Sequence, residues 1–458
     1  MLHKTVHFIG IGGVSMSALA HILLNNGVTV SGSDATKTDI TDNLEKCGAK
    51  ITIGHSADNI ENPSLVVYTA AISNDNPELV CAQEKGIETM ERADFLGKLM
   101  LSYKCPISVS GTHGKTTTTS MLSTVFLKAQ LDPTILVGGE FPQIGSNYKI
   151  GSKNHLIFEG CEYVDSFLKF NPKGAIITNV DKDHLDYFKG IKQIRQSFNK
   201  FLKLIPDDGF AVVNADDKNT MKCLKGVKCK IIKYGKKGQW KPKNITYNDF
   251  GCGEFDVYNN KEFVTKVTLN VPGIHNIYNA LSVFACAHYF GIDKNVISKG
   301  LSEFAGAKRR FEHKGYLNDA PVYDDYAHHP KEIATTISAA RKITLGKMWC
   351  IFQPHTYTRT SALLGDFAKV LSKGDNVIIN KIYAARERNT VGISGKDLAD
   401  KINGALYIEE FEDIANYLKA NVQKDDIVIT IGAGTITKLS DIILALIPSF
   451  SKNHLTVL

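Results

Sequence analysis

The stretch at residues 106–119 constrains the fold of this chain more than any other. It reads Pro-Ile-Ser-Val-Ser-Gly-Thr-His-Gly-Lys-Thr-Thr-Thr-Thr, and apolar residues at helical spacing follow it. The short apolar run that contains Ile107 and Val109 predicts a buried parallel strand, and Gly111 and Gly114 predict a tight turn into a helix. A strand, a glycine turn and a helix in this order are typical of an α/β domain.

The same turn predicts a binding site for the phosphates of a nucleotide. Backbone N–H groups and the helix dipole favour an anion, Lys115 adds a positive charge, and the Thr116 hydroxyl can reach Mg²⁺. The spacing departs from the usual G-x-x-x-x-G-K-[ST] loop, because Val109 stands six residues before Lys115. The alternative is an ordinary glycine turn. We expect a triphosphate to lie against Gly111, Thr112, His113, Gly114, Lys115, Thr116 and Thr117.

Two acidic clusters follow apolar runs that predict neighbouring strands. One begins at Glu159, after residues 155–158, and the other occupies residues 179–186 and contains His184. The carboxyl ends of parallel strands meet at one edge of a sheet, so we expect both clusters beside the phosphate loop. They are candidates to hold Mg²⁺ around the triphosphate. The alternative is a solvated carboxylate in each loop and a helix-start residue at His184.

The N-terminus carries a second glycine turn. The sequence Gly-Ile-Gly-Gly at residues 10–13 follows a short apolar run, and Asp34 ends the next predicted strand. This resembles a dinucleotide fingerprint, in which the acidic residue meets a ribose hydroxyl. Ser15 stands where the third glycine is usual, so a purely structural turn remains an alternative.

The length of the chain predicts three domains. It has 458 residues, and a domain holds roughly 150. We expect an N-terminal Rossmann-like domain over residues 1–102, a central P-loop-type mononucleotide-binding α/β domain over 103–306, and a C-terminal Rossmann-like α/β domain over 307–458. Polar clusters again follow predicted strands in the third domain. Four potential ligands crowd one of them at residues 324–329, and side chains so close in sequence rarely surround one zinc ion.

Charge and cysteine content narrow the functional class. A net charge of +7 is modest for this length, and no Lys/Arg run is dense enough to predict nucleic-acid binding. No apolar stretch approaches the ~20 residues of a membrane span. Nine cysteines without a C-x-x-C pair are typical of reduced thiols, so we expect a cytoplasmic enzyme. The sequence does not indicate an oligomeric state.

Taken together, these motifs resemble those of the Mur ligase family, the ATP-dependent amide-forming enzymes of peptidoglycan precursor synthesis, which serves the bacterial cell wall and cell division. The resemblance covers nearly the whole chain. Its motifs are Gly-Ile-Gly-Gly at 10–13, Gly-Thr-His-Gly-Lys-Thr-Thr at 111–117, Asn-Val-Asp-Lys-Asp-His at 179–184, His-Asn-Ile-Tyr-Asn at 275–279, Arg-Arg-Phe-Glu at 309–312, Asp-Asp-Tyr-Ala-His-His-Pro at 324–330 and Gln-Pro-His-Thr-Tyr-Thr-Arg-Thr at 353–360.

The resemblance implies a reaction as well as a fold. Within the family the motifs are most similar to those of the member that adds the first amino acid. The implied substrates are UDP-N-acetylmuramate, L-alanine and ATP with Mg²⁺. The muramyl carboxylate would attack the γ-phosphate to give an acyl phosphate, which the amine of L-alanine would then displace.

The resemblance also implies residue roles. It assigns catalysis to Lys115, Glu159, His184, Arg310, His328 and His355, and magnesium to Thr116, Glu159 and His184. Besides the phosphate loop, it assigns ATP to Asn276, Asn279, Arg309, Arg310 and Asp324. It assigns the UDP-sugar to Gly10, Gly12, Gly13 and Asp34, and the amino acid to Tyr326, His328, His355 and Arg359. Related enzymes often have an arginine where Thr356 stands, so Arg359, or Arg386 in its place, would carry more of the binding.

Three alternatives remain open. A recycling ligase of the same family attaches a whole tripeptide to UDP-N-acetylmuramate and would share the ATP chemistry. An NAD-dependent oxidoreductase would explain only the first glycine turn. A P-loop switch or motor would hydrolyse ATP without a small-molecule acceptor. Several family members carry a carbamylated lysine, and the sequence leaves open whether Lys200 or Lys203 is one.

Overall fold

The structure is a computed structural model that describes residues 3–184, 187–248, 250–385 and 387–446. Asp186, in the second acidic cluster, and Arg386 lie outside these ranges. The described residues form two compact units. The first comprises the residues up to Lys243 together with Asp256–Val267 and Tyr278–Phe304. The second comprises Asn244–Phe255, Thr268–Ile277 and the residues from Ala305 onward.

The first unit opens with alternating strands and helices. Their bounds are β1 Thr5–Ile9, α1 Val14–Asn25, β2 Thr29–Asp34, α2 Asp39–Lys46, β3 Lys50–Ile53, β4 Leu65–Tyr68, α3 Pro77–Glu84, β5 Thr89–Glu91 and α4 Arg92–Met100. The strands form a parallel sheet in the order β3-β2-β1-β4-β5, as the Rossmann-like prediction requires. The order reverses between β1 and β4, where such sheets bind their ligands, and the glycine turn at residues 10–13 follows β1.

A longer sheet follows. Its elements begin with β6 Cys105–Ser110, α5 Lys115–Lys128, β7 Thr134–Phe141, β8 Ser146–Lys149, β9 His155–Gly160, β10 Gly174–Ile177, α6 Ile191–Leu202, β11 Phe210–Asn214, α7 Lys218–Lys222 and β12 Lys230–Tyr234. Their order is β12-β11-β10-β6-β9-β7-β8, and the one antiparallel pair in this series is β7 with β8. Because β6 lies between β10 and β9, the phosphate loop and both acidic clusters leave the sheet at neighbouring positions.

The order continues beyond β12 into three strands that the two units share. The remaining elements are β13 Trp240–Tyr247, β14 Cys252–Asn259, β15 Glu262–Pro272, α8 Ile274–Tyr289 and α9 Lys294–Glu303. Strands β14 and β15 follow each other closely in the chain and are neighbours in the sheet.

Helix α5 begins at Lys115, directly after the glycine turn as predicted, although its apolar residues begin only at Met121. The intervening threonines have low intrinsic helix propensity. They are accommodated because hydroxyls bond to the carbonyl four residues earlier, as Thr119 Oγ1 does to Lys115 at 2.9 Å and Ser123 Oγ to Thr119 at 2.8 Å. These bonds satisfy part of the buried polar face of the helix, whereas Thr118 Oγ1 and Ser120 Oγ are buried without a hydrogen-bond partner among the described residues.

The second unit carries the third sheet. Its elements are β16 Glu312–Leu317, β17 Ala320–Asp325, α10 Pro330–Arg341, β18 Met348–Phe352, α11 Tyr357–Ala362, α12 Leu364–Leu371, β19 Asn376–Ile379, α13 Gly395–Ala399, β20 Leu406–Tyr407, α14 Phe411–Asn421, β21 Ile427–Ile431 and α15 Thr437–Ala445. The order is β16-β17-β21-β18-β19-β20, and β16 pairs antiparallel with β17.

Residues along β18 show that this sheet is covered on both faces. Met348, Cys350 and Phe352 belong to one hydrophobic cluster, whereas Trp349 and Ile351 belong to another. Alternation of this kind places helices on both sides of a parallel sheet, the arrangement expected of an α/β domain. Within the described ranges, no helix has the length and apolarity needed to cross a membrane.

Candidate active site

The phosphate loop between β6 and α5 is shaped by two glycines. Gly111 has φ of 137° and Gly114, the N-cap of α5, has φ of 84°, both in the region that favours glycine. A side chain at Gly111 would overlap the Thr178 hydroxyl, and one at Gly114 would come within 3.0 Å of Asn279 Oδ1. The loop therefore accepts no side chain at either position without rearrangement.

The exit of β10 fixes the middle of the loop. The Thr112 and His113 backbone N–H groups donate to the carbonyl and side-chain oxygens of Asn179, each at 3.0 Å. The Asp181 N–H donates to Thr112 Oγ1 at 2.9 Å. The two motifs that the sequence placed at neighbouring strand ends are thus hydrogen-bonded to each other.

Lys115 opens α5 and is mostly buried. Its ammonium donates to the carbonyls of Gly111 at 2.6 Å and Thr112 at 3.2 Å, and to Glu162 Oε2 at 3.0 Å. Burial lowers the pKa of Lys115, but Glu162, Cys161 and Glu159 together raise it by more, so the pKa lies above its ordinary value. Lys115 is a fixed positive charge at the helix N-terminus.

Thr116 and Glu159 form an oxygen-rich pair beside this charge. Thr116 Oγ1 donates to Glu159 Oε2 at 3.2 Å, and the Gly138 N–H donates to Glu159 Oε1 at 2.6 Å. A hydroxyl and a carboxylate are ligands that Mg²⁺ accepts. Among the residues the structure describes, no three His, Cys, Asp or Glu side chains lie close enough to hold a metal ion together. A magnesium ion here would therefore take its other ligands from phosphate and water.

The contacts of His184 involve Tyr163 and Asp183. Its ring packs on Tyr163 with 4.6 Å between centroids, and its backbone N–H donates to Asp183 Oδ1 at 2.8 Å. The backbone of His184 is left-handed, with φ of 50°. The structure brings Lys115, Thr116 and Glu159 into one cluster and leaves the predicted metal role of His184 untested.

The two asparagines predicted to meet adenine lie three residues apart in α8. Both are nearly buried, each with 7% of its surface exposed. Asn276 Nδ2 donates to the Pro272 carbonyl at 2.8 Å. Asn279 lies against Gly114 of the phosphate loop. The loop and Asn279 therefore share one surface.

The first glycine turn is built on the exit of β2. The Gly10 N–H donates to the Ser33 carbonyl at 2.8 Å, and the Gly12 N–H donates to Asp34 Oδ2 at 2.9 Å. A side chain at Gly12 would come within 2.9 Å of that oxygen. Ser15, in the position of the missing third glycine, accepts from Arg92 at 3.2 Å. Asp34 therefore stabilises the glycine turn through its hydrogen bond with Gly12.

The hairpin of β7 and β8 contacts elements next to both glycine turns. Gly138 of β7 bonds to Glu159, as described above. On β8, Asn147 Nδ2 donates to the Val14 carbonyl at 2.9 Å, and the Tyr148 ring stacks on His21 of α1 with 4.7 Å between centroids. One element of the first unit therefore spans from the phosphate-loop cluster to the first helix.

In the second unit, Arg309 is held at the exit of β17. Its Nε donates to Asp324 Oδ2 at 3.2 Å, and its guanidinium also donates to the Gly432 carbonyl at 2.6 Å. Asp324 is fully buried and accepts a further bond from Thr430 Oγ1 at 2.7 Å. The structure gives Asp324 the position of a support for Arg309, and its predicted contact with ribose stays a prediction.

The neighbouring Asp325 organises the loop that follows. Its carboxylate accepts from the N–H groups of Phe311 and Ala327, each at 2.8 Å. Burial raises the pKa of Asp325 to about 6, against the opposing effect of Arg310. The Tyr326 ring lies beneath both arginines, 4.8 Å from the Arg309 guanidinium and 5.2 Å from that of Arg310.

His355 and Arg359 form a pair at the exit of β18. An Arg359 N–H lies 3.3 Å from His355 Nδ1. A guanidinium has only donors, so Nδ1 is the acceptor and a neutral ring carries its proton on Nε2. Burial lowers the pKa of His355 to about 4, and the positive charges of His328 and Arg359 act in the same direction. The His328 ring is 6.0 Å from that of His355.

Sequence reasoning left several residues of these clusters without a role. Glu162 lies in the first acidic cluster, but its pairing with Lys115 rather than with a metal could not be read from its spacing. The sequence around Asp325 suggests only a zinc ligand, a role that the close spacing of the cluster argues against. Gln353, nearly buried, accepts from the Ile436 N–H at 3.0 Å and joins β18 to the loop after β21. Its place at a strand exit was the available signal.

Comparison with known proteins covers almost the whole chain. Three family profiles match in order: "Mur ligase family, catalytic domain" over residues 5–104, "Mur ligase middle domain" over 109–287, and "Mur ligase, glutamate ligase domain" over 309–434. The UDP-N-acetylmuramate–L-alanine ligase of Acetivibrio thermocellus is 50% identical over 448 residues, covering 96% of each chain. That of Clostridium perfringens is 48% identical over 448 residues, covering 97% of this chain and 98% of the relative.

Solved structures agree with the sequence relatives. The UDP-N-acetylmuramate–alanine ligase of Thermotoga maritima superposes with a TM-score of 0.81 at 31% identity, covering 97% of this chain and 98% of the other. A murein peptide ligase of Psychrobacter arcticus gives a TM-score of 0.72 at 26% identity, with 96% and 98% covered. The predicted three-domain α/β fold class is thereby confirmed. The chain belongs to the Mur ligase family.

Proposed function

We propose that this chain joins UDP-N-acetylmuramate to L-alanine at the expense of ATP, in peptidoglycan precursor synthesis. One observation carries the choice of substrates: relatives bearing that name match the chain from end to end at about half of its positions. The phosphate loop supports the use of ATP, because Lys115 and the N-terminus of α5 form an anion site. Since the reaction consumes ATP, we propose the cytoplasm as its compartment.

The reaction needs two steps. The muramyl carboxylate oxygen attacks the γ-phosphorus, the bond from phosphorus to the β–γ bridging oxygen breaks, and ADP leaves. The amine then attacks the acyl phosphate, phosphate leaves, and the amide forms with loss of a proton. In the first step two anions approach each other, so fixed positive charge is required. We assign this role to Lys115, with Arg309 and Arg310 as further phosphate contacts.

We propose that Thr116 and Glu159 hold Mg²⁺, which would relieve the charge on the phosphate oxygens. Their 3.2 Å separation and oxygen chemistry fit this ion. A second ion at His184 is implied only by the resemblance to the family, since Mg²⁺ prefers oxygen to imidazole. Asn276, Asn279 and Asp324 are proposed for the nucleoside.

For the amino acid we propose Arg359 and His355, with Tyr326 and His328 beside them. Because Arg359 donates to Nδ1, neutral His355 presents an Nε2–H donor, which suits a carboxylate oxygen. Removing a proton from the amine through His355 would require the Arg359 contact to break. We therefore place His355 with Arg359 on the carboxylate of L-alanine.

The test is ADP release by the purified chain with UDP-N-acetylmuramate, with and without L-alanine. We expect turnover only when both are present. Lys115→Ala should lower the rate about 10²-fold or more, the scale for losing one positioned charge. Lys128→Ala, at the other end of α5, is the matched control and should retain activity. A rate of ADP release that is the same with and without UDP-N-acetylmuramate and L-alanine would contradict the proposal.

The magnesium assignment is tested in the same assay. Glu159→Ala should shift the Mg²⁺ titration to higher concentration, because one of two protein oxygens is lost, while the affinity for UDP-N-acetylmuramate stays unchanged. A Mg²⁺ titration that overlays that of the parent would return Glu159 to a structural role.

A further inference from the structure

A buried carboxylate in the first sheet has no role in the site described so far. Glu78 of α3 is 0% exposed. Its Oε2 accepts from Ser33 Oγ at 2.6 Å and lies 3.3 Å from His7 Nε2. Its Oε1 accepts from Asn59 Nδ2 at 2.5 Å and lies 3.4 Å from His55 Nδ1. A charge buried to this degree is tolerated only when its oxygens are bonded, as they are here.

The contacts fix where the protons of this cluster lie. The Ser33 hydroxyl gives its proton to Glu78, so His55 Nδ1, 3.1 Å from Ser33 Oγ, is the donor to that oxygen. Burial raises the pKa of Glu78, but the hydrogen bonds from His7, Ser33 and Asn59 together lower it by a larger amount. The pKa therefore lies below its ordinary value. Glu78 is therefore an anion on which donors from three segments converge, namely β1, β2 and the connection between β3 and β4.

Those segments frame the first glycine turn. The Ser33 carbonyl accepts from the N–H groups of both Gly10 and Ile11, at 2.8 and 2.9 Å. Asn59 Nδ2 also donates to the Gly54 carbonyl at 3.1 Å, and the Gly54 N–H donates to the Asp34 carbonyl at 2.8 Å. The carboxylate therefore ties the exits of β2 and β3 together beside the glycine turn.

We propose that Glu78 is a positioning residue for the UDP-sugar. Through Ser33 and Asn59 it holds the glycine turn at residues 10–13 and Asp34 in the shape that receives the diphosphate and ribose. It does not touch the substrate. The inference rests on the function proposed above, and it adds that affinity for the sugar nucleotide depends on a side chain beneath its site.

The test is calorimetric titration of the full chain with UDP-N-acetylmuramate in the absence of ATP. Glu78→Gln keeps the shape of the side chain but replaces one acceptor oxygen by an NH₂ group that faces a donor. We expect the Kd for the sugar nucleotide to rise about tenfold or more, while the Kd for ATP stays within about twofold. Glu84→Gln changes an exposed carboxylate of the same helix and should bind like the parent.

Ser33→Ala is a second variant for the case in which Glu78→Gln does not fold. It removes one hydrogen bond and leaves Glu78 with three donors. It should weaken sugar-nucleotide binding by a smaller factor. Unchanged binding in either folded variant overturns the inference, and so does equal weakening of both substrates, which would indicate general loosening. If the parent binds ATP but not UDP-N-acetylmuramate, the proposed function fails as well. The two failures are thus distinguishable.

Discussion

At the scale of single residues, environment decides what a familiar side chain can do. Lys115 was identified from its motif, yet its partner Glu162 was identified only from the structure, since Glu159 and Glu162 follow the same strand. Both are acidic and three residues apart. Only the three-dimensional arrangement gives one to the ammonium and the other to the Thr116 hydroxyl.

His355 leads to a prediction about pH and stability. Its pKa is about 4 in the folded chain, against roughly 6.5 for an unfolded histidine. Below pH ~6.5 the unfolded chain takes up a proton that the folded chain refuses until about pH 4, so His355 costs stability as pH falls through this window. As the pH falls from 7.5 to 4.5, the stability of the His355→Gln variant should therefore rise relative to that of the parent.

The measurement is the denaturation midpoint of both proteins across that range. The quantity to compare is the difference in midpoint between variant and parent at each pH, because Asp325 gives both proteins a pH dependence of the opposite sign. Its pKa of about 6 lies above the unfolded value near 4, so its contribution is present at low pH and is lost as pH rises through about 6. Parallel curves for parent and variant would show that His355 keeps an ordinary pKa.

At the scale of elements, one glycine fixes how α4 packs. A side chain at Gly97 would overlap the backbone carbonyl oxygen of Lys169, and Asn171 Nδ2 donates to the Gly97 carbonyl at 3.0 Å. The helix therefore approaches the 3-10 helix Tyr163–Lys169 as closely as backbone atoms allow.

Gly97→Ala should destabilise the chain by about 1–3 kcal/mol, because a backbone atom cannot rotate away from the new methyl group. Alanine is otherwise favoured over glycine in a helix by about 1 kcal/mol. A loss of stability in Gly97→Ala, rather than a gain, therefore indicates the overlap. The control is Gly365→Ala in α12, where a methyl group would meet no atom within 4 Å beyond the neighbouring backbone of its own helix. We expect its thermal midpoint to stay level or rise. A midpoint for Gly97→Ala that matches this control would contradict the packing argument.

Elements with strong local signals were predicted well, and those fixed by distant contacts were not. Strand β6 and the turn after it were readable because an apolar run, two glycines and a lysine are all local. The start of α5 was readable from the same turn, whereas the burial of its threonines was not, because it depends on hydroxyl bonds within the folded helix. Ser33 and Glu78 gave no signal, since 45 residues separate them.

At the scale of the whole molecule, the chain should prefer L-alanine to a peptide as acceptor. The L-alanine ligases of Acetivibrio thermocellus and Clostridium perfringens share about half of its residues, and among solved structures the alanine ligase shares 31% against 26% for the murein peptide ligase. We expect kcat/KM for L-alanine to exceed that for the tripeptide L-alanyl-γ-D-glutamyl-meso-diaminopimelate by at least about tenfold. ADP release with each amine at equal concentration measures it, and D-alanine serves as a control for the acceptor site. A larger value with the tripeptide would identify the recycling activity instead.

The β7–β8 hairpin provides a physical connection through which ligand binding near one glycine turn can affect ligand binding near the other. Gly138 bonds to Glu159, and Asn147 and Tyr148 contact α1, which begins just after the first glycine turn. If either occupied site moved the hairpin, linkage would require each ligand to change the affinity of the other by the same factor. A small molecule that held the hairpin still could then inhibit the enzyme without competing for either substrate.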